Sequence, residues 1–216
     1  MPAGKTRTVA QTGRPLGPRA MKTRERLMDA TAELLGERSV LELSVVDIAR
    51  RVGTSPATFY HYFKDVEEVS LCLAERAAEE LPAMLELIDG SWSGKQGLET
   101  ARGVVDAFVR HWDAHHAVLQ LRNLAADRGD KRFMKVRRDA LRPVLDAFAS
   151  RITESQRDGR VAEEVHPYVA AAAIGSILER LSAHHRDLGH MGIGRDDLVE
   201  TCARIVYQTV TGRAPR

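Results

Sequence analysis

The sequence predicts an all-α protein. Apolar residues recur with helical spacing from residue 22 to residue 211, β-branched runs of period two do not occur, and three helix starts with capping residues fall within 22 positions. Of the 216 residues, 44% are apolar and 29% charged, which describes a globular chain able to bury well over half of its unfolded surface.

Residues 1–20 mix Gly, Pro, Thr and basic side chains without a repeated apolar face, so they read as a flexible arm. A first helix over about residues 22–37 places Leu27, Ala30, Leu34 and Leu35 on one face, with Gly36 in its last turn. The second has Ser44 as N-cap and Asp47 three residues on, an acidic variant of the capping box. Val45, Ile48, Ala49 and Val52 then follow i, i+3, i+4, i+7 until Gly53 ends the helix. A short third helix, about residues 55–62, starts from Ser55 with Pro56 in the first helical position. Asp65 and Glu68 open a fourth that runs to about residue 87, with Pro82 ending or kinking its last turns. After the loop Gly90-Ser91-Trp92-Ser93-Gly94, helices are predicted over about residues 96–112, 116–126, 130–156, 167–187 and 195–211, nine in all. Pro143 predicts a kink or break in the seventh, and Pro167 suits an N-terminal position in the eighth.

The formal net charge of +2 conceals an asymmetry. The first 20 residues carry Lys5, Arg7, Arg14 and Arg19 with no acid, while the chain beyond residue 64 has a surplus of acids. A basic front end suits a polyanion. Apolar stretches such as residues 169–173 are far shorter than the roughly 20 residues a spanning helix needs, and no secretory apolar run is present. Cys72 and Cys202 form no metal-ligand pair, so a reducing cytoplasm is the expected compartment. No Gly-rich phosphate loop, nucleophile elbow or ordered triad appears, which leaves an enzyme on an all-α scaffold as the weaker alternative.

Two short helices joined by a glycine-containing turn form a helix-turn-helix pattern, whose second helix enters the major groove of DNA. The third helix fits that task, because no acid stands between Ser55 and Lys64, and Arg50 and Arg51 end the preceding helix. Only 5% of the residues are aromatic, yet Phe59, Tyr60, Tyr62 and Phe63 fall within five positions.

The segment LSVVDIARRVGTSPATFYHYFKDVEEV, residues 43–69, resembles the DNA-binding domain of TetR-family transcriptional regulators, and the likeness spans about residues 22–70. It implies a basic arm over residues 1–20, a helix-turn-helix domain over 21–66 and a ligand-binding and dimerisation domain over 67–216. By position, it implies that Ser44 contacts phosphate, that Thr54, Ser55, Ala57 and Thr58 meet base edges or nearby phosphates, and that Tyr60 and Tyr62 contact the backbone. Phe59 and Phe63 pack inward. Arg50, Arg51, His61 and Lys64 complete the DNA-binding set, Lys64 being the nearest cation to Val66, where the family often has lysine. The arm either tracks the minor groove or is a solvated tail.

In the larger region the resemblance implies a homodimer through the last two helices, reading a near-palindromic operator in double-stranded DNA. Their apolar faces carry Val169, Ala172, Ala173, Ile177 and Leu181 in one and Leu198, Cys202, Ile205, Val206 and Val210 in the other. A small-molecule effector would enter among the fifth to eighth helices, with candidate lining residues Phe108, His111, Trp112, His115, Leu119, Arg122, Asn123, Phe133, Phe148, Ile152, Ile177 and His184. Each reads more readily as a core or interface residue than as a ligand contact. Arg122 beside Asn123 is a cation and amide suited to a carboxylate or phosphate. His111 and His115 have the i, i+4 spacing of two zinc ligands, but Trp112 stands where a metalloprotease has glutamate. No metal and no cofactor is expected. The functional expectation is a ligand-responsive repressor, with an effector-free architectural DNA-binding dimer as the alternative.

Overall fold

In the computed structural model, which describes residues 15–37 and 42–214, local capping decides where the N-terminal helices begin and end. Among the described residues nine helices form and no strand: α1 (Pro18–Glu37), α2 (Val45–Val52), α3 (Pro56–Tyr62), α4 (Val66–Ala78), α5 (Pro82–Ile88), α6 (Gly94–Asp127), α7 (Lys131–Arg157), α8 (Pro167–Gly189) and α9 (Arg195–Thr211). No described helix is long and apolar enough to cross a membrane.

Four boundaries differ from the sequence expectation, each for a local reason. Helix α1 begins four residues early because Pro18 supplies a preset φ at the first helical position, so residues 18–20 of the expected arm are already helix. Residues 1–14 of that arm lie outside the described residues. The expected helix over 65–87 divides in two: the ring of Pro82 excludes a helical carbonyl four residues before it, so α4 stops at Ala78 and α5 starts on Pro82. Conversely, residues 113–115 contain no breaker, and the two helices expected over 96–112 and 116–126 are one, α6, interrupted only at His115 (φ −124°, ψ 20°). Helix α7 continues through Pro143 without a break, because the proline is exposed and the carbonyl it leaves unbonded belongs to exposed Asp139.

The chain divides into two compact units, and the division is not linear. The first joins residues up to Glu79 to His115–Arg137, and the second joins Glu80–Ala114 to Arg138–Arg216. Sequence order alone suggests one cut at residue 66. The compact units follow packing rather than chain order, because Val118, Ala126 and Phe133 share a hydrophobic cluster with Leu27, Met28, Leu34, Ile48, Phe59, Phe63, Val69 and Leu73. The first unit therefore consists of α1 to α4 together with the last turns of α6 and the first turns of α7.

In the second unit Phe108, Phe148, Ile152, Ile174, Leu178 and Val206 are buried, and α8 packs against α9. Helix α8 has two apolar faces. Ala171, Ile174 and Leu178 are buried within the unit, whereas Tyr168, Val169 and Ala173 are exposed. On α9, Leu198, Cys202, Val206 and Val210 are intrachain core, and Ile205 is exposed. The Cys202 thiol is pushed up by burial.

Candidate nucleic-acid interface

The interface is built on two capped helices and the turn between them. At the start of α2 the Ser44 hydroxyl accepts a hydrogen bond from the Asp47 amide (3.2 Å), and the Asp47 carboxylate accepts one from the Ser44 amide (3.3 Å), a closed capping box. The Ser44 hydroxyl also donates to that carboxylate at 2.6 Å, so it is fixed by its cap yet exposed to a partner. The left-handed conformation of Gly53 (φ 72°) ends α2, and the Arg26 guanidinium of α1 donates to the Val52 carbonyl at 2.7 Å, satisfying an orphan acceptor of the last turn. Ser55 then caps α3, its hydroxyl accepting from the Thr58 amide (3.3 Å) and lying 3.1 Å from the Thr58 hydroxyl.

The aromatic cluster divides by depth. Phe59 and Phe63 are buried with ring centroids 5.5 Å apart, and they fasten α3 to the core. Tyr60 is 53% exposed, while Tyr62 is half-buried against the hydrophobic cluster, so only one of the two tyrosines stands freely on the surface. Ser55, Ala57 and His61 are exposed, and Thr54 and Thr58 are half-buried. The outer face of α3 thus carries hydroxyl groups, an alanine, Tyr60 and His61, and no acid. Such a face can approach phosphates and base edges without repulsion.

The two arginines that end α2 have different fates. Arg50 is 75% exposed and only 3.6 Å from the Asp47 carboxylate, a loose pair. Arg51 turns onto α1, donating to both carboxylate oxygens of Glu37 (3.0 and 2.8 Å) and to Glu33 (3.2 Å), and the Glu37 bond above all raises its pKa. Its charge is already paired, which leaves Arg50 the more exposed and more loosely held of the two. Lys64 is exposed, and its amide donates to the Glu68 carboxylate at 2.6 Å while Asp65 caps α4 by accepting from the Glu68 amide at 2.8 Å.

Sequence reasoning missed Arg24. It is 2% exposed, its guanidinium lies 5.0 Å from the centroid of the Phe63 ring, and it donates to the sulfurs of Met28 (3.0 Å) and Cys72 (3.3 Å). It thereby ties α1 and α4 to the end of α3. The signal was available: Arg24, Met28, Thr31 and Leu35 recur at helical spacing, which puts the arginine on the apolar face.

The twelve effector candidates are divided between the two units. Phe108, His111, Trp112, Phe148 and Ile152 are buried in the second unit, with Ile177 and His184 half-buried there. His115, Leu119, Arg122, Asn123 and Phe133 belong to the first, where Phe133 is part of the core beneath α3. Buried Arg122 donates to its neighbour Asn123 at 3.0 Å, so the cation and amide engage each other. Nδ1 of His111 lies 3.4 Å from the Glu80 carboxylate, and His184 is 3.1 Å from Asp187. A polar cavity of about 220 Å³, lined by Trp92, Arg151, Ser155, Arg160 and Arg213 among others, contains none of the twelve.

Comparison with known proteins agrees with this geometry. Residues 27–69 match the family described as bacterial regulatory proteins, tetR family, and residues 84–216 match the tetracyclin repressor-like C-terminal domain. Among solved structures, the chain is similar to FadR, a transcriptional regulator of Bacillus subtilis, in complex with stearoyl-CoA (19% identity, TM-score 0.63, covering 88% of this chain and 98% of that one). It is also similar to a tetR-family transcriptional regulator from Streptomyces coelicolor (18%, TM-score 0.68, covering 91% and 83%) and to SmeT in a triclosan complex (16%, TM-score 0.61, covering 88% and 90%).

Proposed function

The chain belongs to the TetR family of bacterial regulatory proteins, and from that premise we propose how this regulator recognises DNA and is released from it. The observation that carries the reading is the capped α2–turn–α3 with its exposed, acid-free outer face. Helix α3 enters the major groove. Thr54, Ser55, Ala57 and Thr58 meet base edges and adjacent phosphates, while Ser44, Arg50, Tyr60, His61, Tyr62 and Lys64 hold the backbone on either side. Arg51 acts one step removed, bracing α2 on α1 through Glu37 and Glu33.

Two copies read a near-palindromic operator, pairing through the face of α8 and α9 that carries Tyr168, Val169, Ala173 and Ile205. The chain works in the cytoplasm, where its DNA is. FadR and SmeT are each solved with a small molecule, and in this chain Phe108, Trp112, Phe148 and Ile152 of the second unit would receive the apolar part of an effector. Effector binding favours a dimer whose recognition helices no longer match two successive major grooves. Repression is then relieved by a reciprocal coupling between effector and operator.

The test is a gel shift on the operator with single substitutions. Tyr60→Ala and Arg50→Ala each weaken binding about tenfold (about 1.4 kcal/mol) regardless of operator sequence, because backbone contacts carry no sequence information. Thr58→Asn instead changes which base is preferred, by about 1–3 kcal/mol at one position. Unchanged affinity in both Tyr60→Ala and Arg50→Ala overturns this reading.

A further inference from the structure

The first unit contains a second cationic surface, on the turn between α6 and α7. Residues 128–137 carry Arg128, Lys131, Arg132, Lys135 and Arg137. The turn is rigid. Gly129 adopts φ 91°, its amide donates to the Ala126 carbonyl (2.9 Å), and the Asp130 amide donates to the Ala125 carbonyl (3.0 Å). Asp130 in turn accepts from the Arg132 amide at 2.8 Å and from its guanidinium at 2.6 Å, and this arginine holds the Asp130 carboxyl down at about 2. Phe133 anchors the following turn in the hydrophobic cluster that also holds Phe59 and Phe63.

The place of this turn is set by one ion pair. Arg132 donates to the Glu67 carboxylate at 2.9 Å, and Glu67 is in the first turn of α4, three residues after Lys64. The recognition helix ends at Tyr62, so the α6–α7 turn stands beside the exit of α3. Every acid nearby is engaged: Glu67 and Asp130 with Arg132, Asp127 with Arg137 (3.2 Å), Glu68 with the Lys64 amide, and Asp65 as a cap. Arg128 and Lys131 are exposed, and no ion pair or side-chain hydrogen bond holds either among the described residues.

We propose that Arg128 and Lys131 form an accessory clamp on the phosphate backbone of DNA flanking each half-site, continuous with Lys64 at the start of α4. Cations in a region of paired acids, on a turn fixed by a positive-φ glycine, two backbone hydrogen bonds and an ion pair, meet phosphates with little loss of conformational freedom. The clamp adds affinity and footprint but no base preference. It also lies near Val66, where the fourth helix carries no lysine of its own.

This inference rests on operator binding, and the experiment separates the two. Operator affinity is measured between 50 and 200 mM salt for the full chain, for Arg128→Gln with Lys131→Gln, and for Arg138→Gln with Arg142→Gln. The last pair removes the same charge from exposed positions further along α7. Each phosphate contact contributes about 0.9 to the slope of log K against log salt, so the first double variant lowers the slope by about two per half-site, about four for the pair of copies, and loses protection of the outermost phosphates, with base preference unchanged. The second leaves slope and protection as in the parent chain. A first variant with the parent's slope and footprint, or with the same change as the second, overturns the clamp while leaving the operator reading standing. A parent chain without any sequence preference overturns both.

Discussion

Replacing Val169 and Ala173 together by glutamate is expected to give a folded monomer that has lost at least a hundredfold in operator affinity. Both residues are exposed on α8, Val169 by 64%, so the chain alone tolerates the charges, while Ala171, Ile174 and Leu178 on the opposite face keep α8 on the core. A second copy seated on this face would bury two carboxylates per chain without a partner, at a cost of several kcal/mol for each. A monomer then engages one half-site, and affinity falls toward the non-specific level, about 10³-fold or more below specific binding. Sedimentation velocity and a gel shift on one preparation check both parts, with helix content as the control. A dimer that persists with full operator affinity shows that pairing occurs elsewhere.

Phe59→Ala is expected to abolish operator binding through the fold rather than through contact. Phe59 is wholly buried, packs edge-on to Tyr60 and fixes α3 to the cluster that includes Phe63 and Phe133. Removing a buried phenyl ring costs about 3–5 kcal/mol, against a typical total stability of about 5–15 kcal/mol. Both tryptophans, Trp92 and Trp112, lie in the second unit, so their fluorescence reports that unit alone. The expected result is loss of operator binding and of amide protection in α2 and α3, with native tryptophan emission. Retained operator binding with full protection of α3 contradicts the role assigned to this ring.

Features set by neighbours in the chain were legible, and features set by distant packing were not. Ser44 with Asp47, Ser55 with Thr58 and Asp65 with Glu68 cap their helices because each partner is three residues away and needs no other part of the fold. Pro82 was legible as a breaker, although its place at the head of a separate α5 depends on the burial of Met84 and Ile88, which only tertiary packing decides. Arg51 illustrates the opposite case. Whether it turns toward DNA or toward Glu33 and Glu37 is decided by the placement of α1, 14 to 18 residues back. Phe133 has the sequence signature of any aromatic residue on an amphipathic helix, and only tertiary packing assigns it to the core beneath the recognition helix. The folding of His115–Arg137 into the first unit left no local trace, and the basic turn gains its meaning only from the Arg132–Glu67 pair.

The most direct test of the central claim, that α3 reads DNA as one half of a symmetric pair, is selection of sites from random double-stranded DNA by the purified full-length chain. The account predicts enrichment of a single near-palindrome whose half-sites lie about one helical turn apart, roughly 34–36 Å, or a multiple of that. Recovery of no enriched sequence, or of an asymmetric single half-site bound by one copy, would contradict it.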